Sequence, residues 1–471
     1  MKKALYILGI LSVYISFTSC EKLLDDKADI QITDLSELIQ TPQDAQSVLN
    51  GAYDVLVNGL DGQMQVIDEL LSDNLTAPLG NSDPLLPVYQ RVTNTFNGTT
   101  AAAYNEFYIA IFRANLLLKY AKDIEGLSSS ELNRIEGEAR FIRAMGHFWV
   151  LKTYSQPWGY TVNNSHLGIV IRTEPTPDPL PRNTVAEVYN FIKEDLEAAI
   201  AALPESNNVY ASKYSAAALL AYVCFLQNDF ANCVTYSDMV INSGQYNLEP
   251  TLDTFHAWDS LYQFSQNPEM IFGIRSNVNF NDNRNDEFNG YRKMSIQGAR
   301  LSLSQECYDL FASNPLDQRN EWVEQNGSQY LLLRFGTQAT NSDAINFFDI
   351  PVLRLTMIKL IRAESLGELG SGLSVAIEDI NDIRERAFGN ELLNLSGSAG
   401  SNEIVEAARL EFRKEMVGEG YWVDQLKRRG ARGENILIRN APWNCNGMAI
   451  QFPQNEGSGR DFIFNPEGGC N

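Results

Sequence analysis

Histidine is scarce: three occur in 471 residues, His147, His166 and His256. None stands in an H-E-x-x-H pattern or at metal-ligand spacing from another, so no zinc centre is expected. The G-x-S-x-G elbow, the P-loop and the dinucleotide fingerprint are missing too, which removes the usual nucleophile turn and phosphate cradles. Positive charge is the next shortage. Lysine and arginine number 37 against 59 aspartate and glutamate, a net charge of −22. Such a surface is repelled by phosphate backbones and counts against a nucleic-acid partner. After residue 17 no apolar stretch reaches the roughly 20 residues that cross a bilayer.

The features that are present begin at the N-terminus. Lys2 and Lys3 precede an almost unbroken apolar run over residues 4–17, and the small residues Thr18 and Ser19 lead to Cys20. The run has the roughly 7–15 residue length of a signal-peptide core. Apolar, small, small, cysteine resembles a bacterial lipobox, whose cysteine opens the mature chain and carries acyl groups. Residues 1–19 are therefore expected to be a signal peptide, Cys20 the lipidation site, and residues 20–471 a protein held at a membrane without spanning it. Of the six cysteines, Cys224, Cys233, Cys307, Cys445 and Cys470 remain. An odd number in an oxidising compartment cannot all pair within one chain. Cys445 and Cys470, in a loop-rich tail, are the candidate disulfide. Cys224 and Cys233 fall in an apolar helical pattern and read as small buried residues.

Helical periodicity dominates the rest of the chain. Thr41-Pro42-Gln43-Asp44 opens a helix with Ala45, Leu49, Ala52 and Leu56 on one face. Residues 104–121 and 131–154 read as long helices, and a helix capped by Asn183 or Thr184 runs to Ala202. Residues 212–243 form the clearest hairpin. Asn228-Asp229 makes its turn, and Ala217, Ala221, Cys233 and Ser237 are small enough for close helix packing. It resembles a tetratricopeptide-type unit without the full repeat consensus. Later helices are expected over 352–367, 375–386 and 402–422. Long loops near 72–98 and 250–350 interrupt the helices, the second with strand-like runs at 270–274 and 330–334. The fold class is mainly α, with tetratricopeptide-like hairpins and a variable loop-rich region in one composite domain.

Four ordered blocks carry a wider resemblance. They are the segment from Glu136 to Trp149 followed by Pro157-Trp158-Gly159; Pro181-Arg182-Asn183-Thr184 with Tyr189 and Leu203-Pro204; Arg354-Leu355, Arg362-Ala363-Glu364-Ser365 and residues 380–387; and Glu411, Arg413, Glu415, Glu419-Gly420 and Leu426-Lys427-Arg428. Over nearly the whole mature chain this resembles the SusD/RagB outer-membrane lipoproteins. Departures occur where Gln425 and Trp422 replace the usual residues of the last block. The resemblance implies a helical scaffold with a loop-borne ligand surface. It also implies a location on the outer membrane facing the exterior, and a SusC-like TonB-dependent transporter as partner. Most relatives bind glycans and some bind peptides.

Catalysis finds no site in this pattern. Glu364 with Glu368 and Glu411 with Glu415 have helical spacing, and read as scaffold carboxylates paired with Arg362 and Arg413. His147 reads as a packed core residue. No cofactor and no metal is expected. Binding needs aromatic faces for sugar rings and planar polar groups for hydroxyls. Tyr89 and Phe96 on the first loop, and Phe280, Asn283, Phe288 and Tyr291 on the second, are the candidate ligand residues. The expected function is capture of a nutrient, a glycan or alternatively a peptide, for delivery to the transporter. A non-catalytic adhesin and a surface hydrolase are the remaining alternatives.

Overall fold

The computed structural model describes residues 35–253, 267–274, 300–335, 350–459 and 461–470. The fold is mainly α, and its helices begin where the sequence offers caps. Helix α1 (Pro42–Leu60) starts with a reciprocal box: Thr41 Oγ1 accepts the Asp44 N–H, and the Asp44 carboxylate accepts the Thr41 N–H at 2.9 Å. After α2 (Gln63–Leu71) and the short α3 (Leu86–Tyr89), Asn97 caps α4 (Gly98–Tyr120) and Ser128 with Glu131 boxes α5 (Ser129–Tyr154). Thr184 with Glu187 does the same for α6 (Val185–Ala202), so the cap lies at Thr184 rather than Asn183. Then come α7 (Lys213–Leu226) and α8 (Phe230–Ile241), joined at Asn228, whose φ of 60° suits asparagine.

These helices stack one against the next: α1 on α4, then α5, α6, α7 and α8 in order. Small residues allow the close approach. A Cβ on Gly137 would lie 2.9 Å from Leu203, and Ala217, Ala221, Cys233 and Ser237 are fully buried in the α7–α8 hairpin. Buried polar groups register the stack. Arg143 of α5 donates to Asn115 of α4 at 2.8 Å and to Asp195 of α6 at 2.7 Å.

The second half adds α9 (Gln305–Ala312), α10 (Leu355–Leu369), α11 (Leu373–Phe388), α12 (Ser401–Glu415) and α13 (Trp422–Ala431). Helix α10 packs on α8 and extends the stack, while α11 and α12 cover a smaller apolar cluster of their own around Leu366, Ile380 and Ile404. Four small antiparallel pairs complete the described chain. β1 (Leu75–Thr76) pairs with β3 (Ser302–Leu303), and β2 (Met270–Ile274) with β6 (Ile350–Arg354). β4 (Val323–Asn326) pairs with β5 (Gln329–Leu332), and β7 (Leu437–Ile438) with β8 (Ala441–Pro442).

Three local expectations need correction. Residues 352–354 belong to strand β6 and not to a helix; every residue of that strand is buried, and a fully buried run carries no period to separate strand from helix. The strand-like run at 330–334 ends at Leu332, and residues 333–335 form a helical turn that brings Arg334 over Trp322 at 4.2 Å. The helix expected over 402–422 breaks after Glu415. Gly418 and Gly420 adopt positive φ, and a Cβ on Gly420 would stand 2.8 Å from the Gln65 carbonyl oxygen.

The carboxylates Glu364, Glu411 and Glu415 are buried and paired, but with other partners than Arg362 and Arg413. Arg362 binds Asp379 and Asp238, each at 2.7 Å, and Arg413 binds Glu306 at 2.8 Å and Asp73 at 3.2 Å. Glu364 is held by Arg409 at 2.8 Å and by Arg428. Glu411 pairs with Arg319 and Arg384, and Glu415 with Arg319, Arg354 and Arg386. Burial alone would push the Glu415 carboxyl up, yet Arg386, Arg319 and Arg354 hold it down at about 2. Trp422 donates its indole N–H to Asp73 at 2.8 Å, and Asp424 accepts from Lys152 and the Tyr222 hydroxyl, each at 2.9 Å.

Candidate functional site

Phe96 is the most conspicuous exposed aromatic on the described surface: 75% of it faces solvent. Local chemistry puts it there. Arg91 leaves α3 with a φ of 60°, turning the chain, and the Asn94 side chain accepts the Phe96 N–H at 2.9 Å to form a tight polar turn. Asn97 then caps α4 and anchors its own amide on the Pro84 carbonyl at 3.1 Å. The ring is held outward by a segment whose ends are fixed.

The C-terminal tail lies alongside. Thr93 Oγ1 accepts the Gln451 N–H at 3.0 Å, and the Gln454 N–H donates to the Thr95 carbonyl at 3.1 Å. Gln451 in turn reaches the Asn465 carbonyl at 3.0 Å, and Asn446 donates to the Glu467 carbonyl at 3.1 Å. Cys445 and Cys470 are joined by a disulfide with their Cα atoms 5.1 Å apart. This closes residues 446–469 against the loop of residues 91–96. Between the two walls runs an open groove of about 420 Å³, lined among others by Val92, Asn94, Phe96, Asn446, Gln451 and Glu467. That volume is within the roughly 300–1,000 Å³ of small-molecule sites, and the mixture of one free aromatic face with amides suits a polyhydroxylated ring.

Tyr89 is placed differently. It is half-buried against the core, and the Arg439 guanidinium stacks on its ring at 4.2 Å. Tyr89 thus supports the groove loop from beneath, while Phe96 faces the groove. Asp73 and Asn74 at the start of the same loop are structural, with Asn74 bridging Glu69 at 2.7 Å and Arg413 at 3.0 Å. Burial pushes the Glu69 carboxyl up to about 7, against the pull of its bonds from Asn74 and the Gly420 N–H. Phe280, Asn283, Phe288, Tyr291 and Cys20 lie outside the described residues. The tail residues from Asn446 to Gly469 that wall the groove are not among the ligand residues the sequence suggests; the candidate disulfide is the one feature that points to that segment.

Other polar centres are occupied internally. His147 donates from Nδ1 to the Arg143 carbonyl at 2.8 Å and accepts the Arg172 N–H at Nε2 at 3.1 Å; burial lowers its pKa to about 3. A second concavity of about 400 Å³, beside Glu368, Glu406 and Glu434, is crossed by Arg409, which pairs with all three carboxylates. No cluster of three or more metal-ligating side chains is found among the described residues, and no described helix is long and apolar enough to cross a membrane.

Comparison with known proteins agrees along the chain. A family model described as "Starch-binding associating with outer membrane" matches residues 22–225, and the SusD family model matches residues 273–446. SusD-like protein P38 of Formosa agariphila is 25% identical, over 87% of this chain and 88% of its own. SusD-like protein P2 of the same organism is 22% identical, over 98% and 96%. A crystal structure of a SusD superfamily protein from Bacteroides vulgatus superposes with a TM-score of 0.77 at 24% identity, covering 91% of this chain and 99% of that one. A SusD-like carbohydrate binding protein from the same species superposes with a TM-score of 0.69 at 22% identity, covering 83% and 84%. The structural likeness shows the fold. With two family models accounting for most of the sequence and relatives matching it nearly end to end, the chain belongs to the SusD/RagB family.

Proposed function

We propose that this protein captures a glycan at the cell surface and hands it to a SusC-like TonB-dependent transporter in the outer membrane, without altering the ligand. The observation that carries this reading is the outward Phe96 ring standing over a groove walled by amide side chains. Family membership and the descriptions its relatives carry, starch-binding and carbohydrate binding, favour a saccharide over a peptide. Acyl chains on Cys20 would tether the chain, leaving the helical stack free to sit over the transporter. An open groove of this kind binds at roughly micromolar to millimolar strength, and fast release suits transfer.

The test is calorimetric titration with a panel of oligosaccharides and peptides, repeated with Phe96→Ala. Losing the stacking face should weaken the best saccharide roughly two- to twelvefold, equivalent to about 0.5–1.5 kcal/mol. A folded Phe96→Ala protein with unchanged affinity would move the site elsewhere, with Phe280, Phe288 and Tyr291, changed together, as the next test. A peptide as best ligand would replace the glycan reading, and product formed from any ligand would reopen the hydrolase one.

A further inference from the structure

Arg91 lines the same groove and makes no ion pair among the described residues; the acidic group whose field reaches it, Asp73, is already engaged by Arg413 and the Trp422 indole. It is 4% exposed, and the hydrogen bond its guanidinium makes is from Nη1 to the Met448 sulfur at 3.7 Å. No described carboxylate lies within ion-pair distance of it. Its other charged neighbour is a second cation: Arg439, stacked on Tyr89 and donating to the Leu70 carbonyl at 3.0 Å, has a buried Nε without a partner. Burial and the Arg439 charge together lower the Arg91 pKa to about 10.

This is unusual for this chain. Its other deeply buried arginines, Arg319, Arg354 and Arg428, are each matched by carboxylates at short range. Arg182 satisfies its guanidinium in another way, on the carbonyls of Gly168, Leu167 and Ile463. A guanidinium offers five donors, and leaving it desolvated beside another cation is costly unless an anion arrives. Acidic residues outnumber basic ones by 59 to 37, so a carboxylate partner could readily have been supplied from within.

Resting on the glycan reading above, we propose that the groove selects an acidic saccharide, whose uronate carboxylate or sulfate ester is drawn to the unpaired charge of Arg91. The sugar ring stacks on Phe96, and its anionic substituent lies toward the Arg91 side. Glu467 also lines the groove, but it is exposed, where water weakens its field relative to that of a buried guanidinium. The acidic surface as a whole acts beyond the roughly 8–10 Å screening length of ordinary salt, so the near cation governs the bound ligand.

Matched pairs of ligands test this on the wild-type protein: oligogalacturonates against their methyl esters, sulfated galactan oligosaccharides against desulfated ones, and neutral glucans for reference. The expected result is a preference of at least about tenfold for the anionic member of one pair, weakening as salt is raised. Which pair responds distinguishes a carboxylate from a sulfate. Arg91→Gln should abolish the preference and Arg91→Lys should restore part of it, with the affinity of each variant for the neutral member of the pair measured alongside to report any change in the groove itself. Equal affinity for charged and neutralised ligands, or best binding to a neutral glucan, would overturn the proposal and leave the glycan reading intact. Binding to no saccharide at all would sink that reading and this proposal with it. If Arg91→Gln fails to fold, the ligand pairs and salt dependence decide.

Discussion

The carbonyl oxygen of Arg91 presses on the backbone of Gly447 so closely that a Cβ at residue 447 would overlap it. Two segments more than 350 residues apart in sequence, as the Arg91–Met448 bond also shows at a separation of 357, thereby share one groove. Glycine is required here for space.

Gly447→Ala should therefore push the tail off the loop of residues 91–96. Overpacking of this kind costs about 1–3 kcal/mol. Thermal denaturation should show a lower midpoint, and titration a weaker ligand. A variant with both unchanged would mean that the tail yields without disturbing the groove.

The Cys445–Cys470 disulfide spans 25 residues and holds the outer wall in place. Replacing both cysteines by serine should destabilise the protein by up to about 3 kcal/mol, through freedom regained by the unfolded chain. Ligand affinity should fall as the wall loosens, whereas the helical stack, anchored by its own core, should keep its circular dichroism. Mass mapping of the non-reduced protein checks the bond itself; two free thiols there would remove the premise.

Glu415 gives a prediction with a definite sign. Its folded pKa of about 2 lies below the ordinary 4.5, so its contribution to stability is complete above pH 4.5 and is lost as pH falls through 2. Glu415→Gln leaves Arg386, Arg319 and Arg354 short of a counter-charge and should cost about 3–5 kcal/mol at neutral pH. Denaturant titrations across pH should show the gap between wild type and variant closing as acidity rises. A gap that stayed constant down to pH 2 would mean that Glu415 acts by packing alone.

Attachment through Cys20 is tested by Cys20→Ala and cell fractionation. The variant should leave the membrane fraction and lose labelling by a fatty-acid probe. Retention of both would overturn the lipoprotein assignment.

Helix starts are legible in the sequence because caps are local chemistry: Thr41 with Asp44, and Thr184 with Glu187, act within one turn. The α7–α8 hairpin is legible for the same reason, since its small residues and its turn at Asn228 are close in sequence. The start of β6 as helix, and a helix running through Gly418 and Gly420, fail where the deciding contacts come from elsewhere, Met270 to Ile274 in one case and Gln65 in the other. Of the ligand residues expected on the first loop, Phe96 faces the groove because its turn is polar and fixed, while Tyr89 packs inward beneath Arg439.

The sequence by itself determined most of the long helices, the capped starts of α1 and α6, the small-residue seam of the α7–α8 hairpin and the family, all of which rest on spacing within tens of residues. Only the tertiary structure decided which arginine meets which carboxylate, that Arg91 meets none among the described residues, and that the tail forms the second wall of the groove. Helix capping and amphipathic period are short-range and leave a record in neighbouring residues. Charge pairing in a packed interior depends on which faces come together, and any of the 59 acidic side chains carries the same chemistry until packing selects its partner.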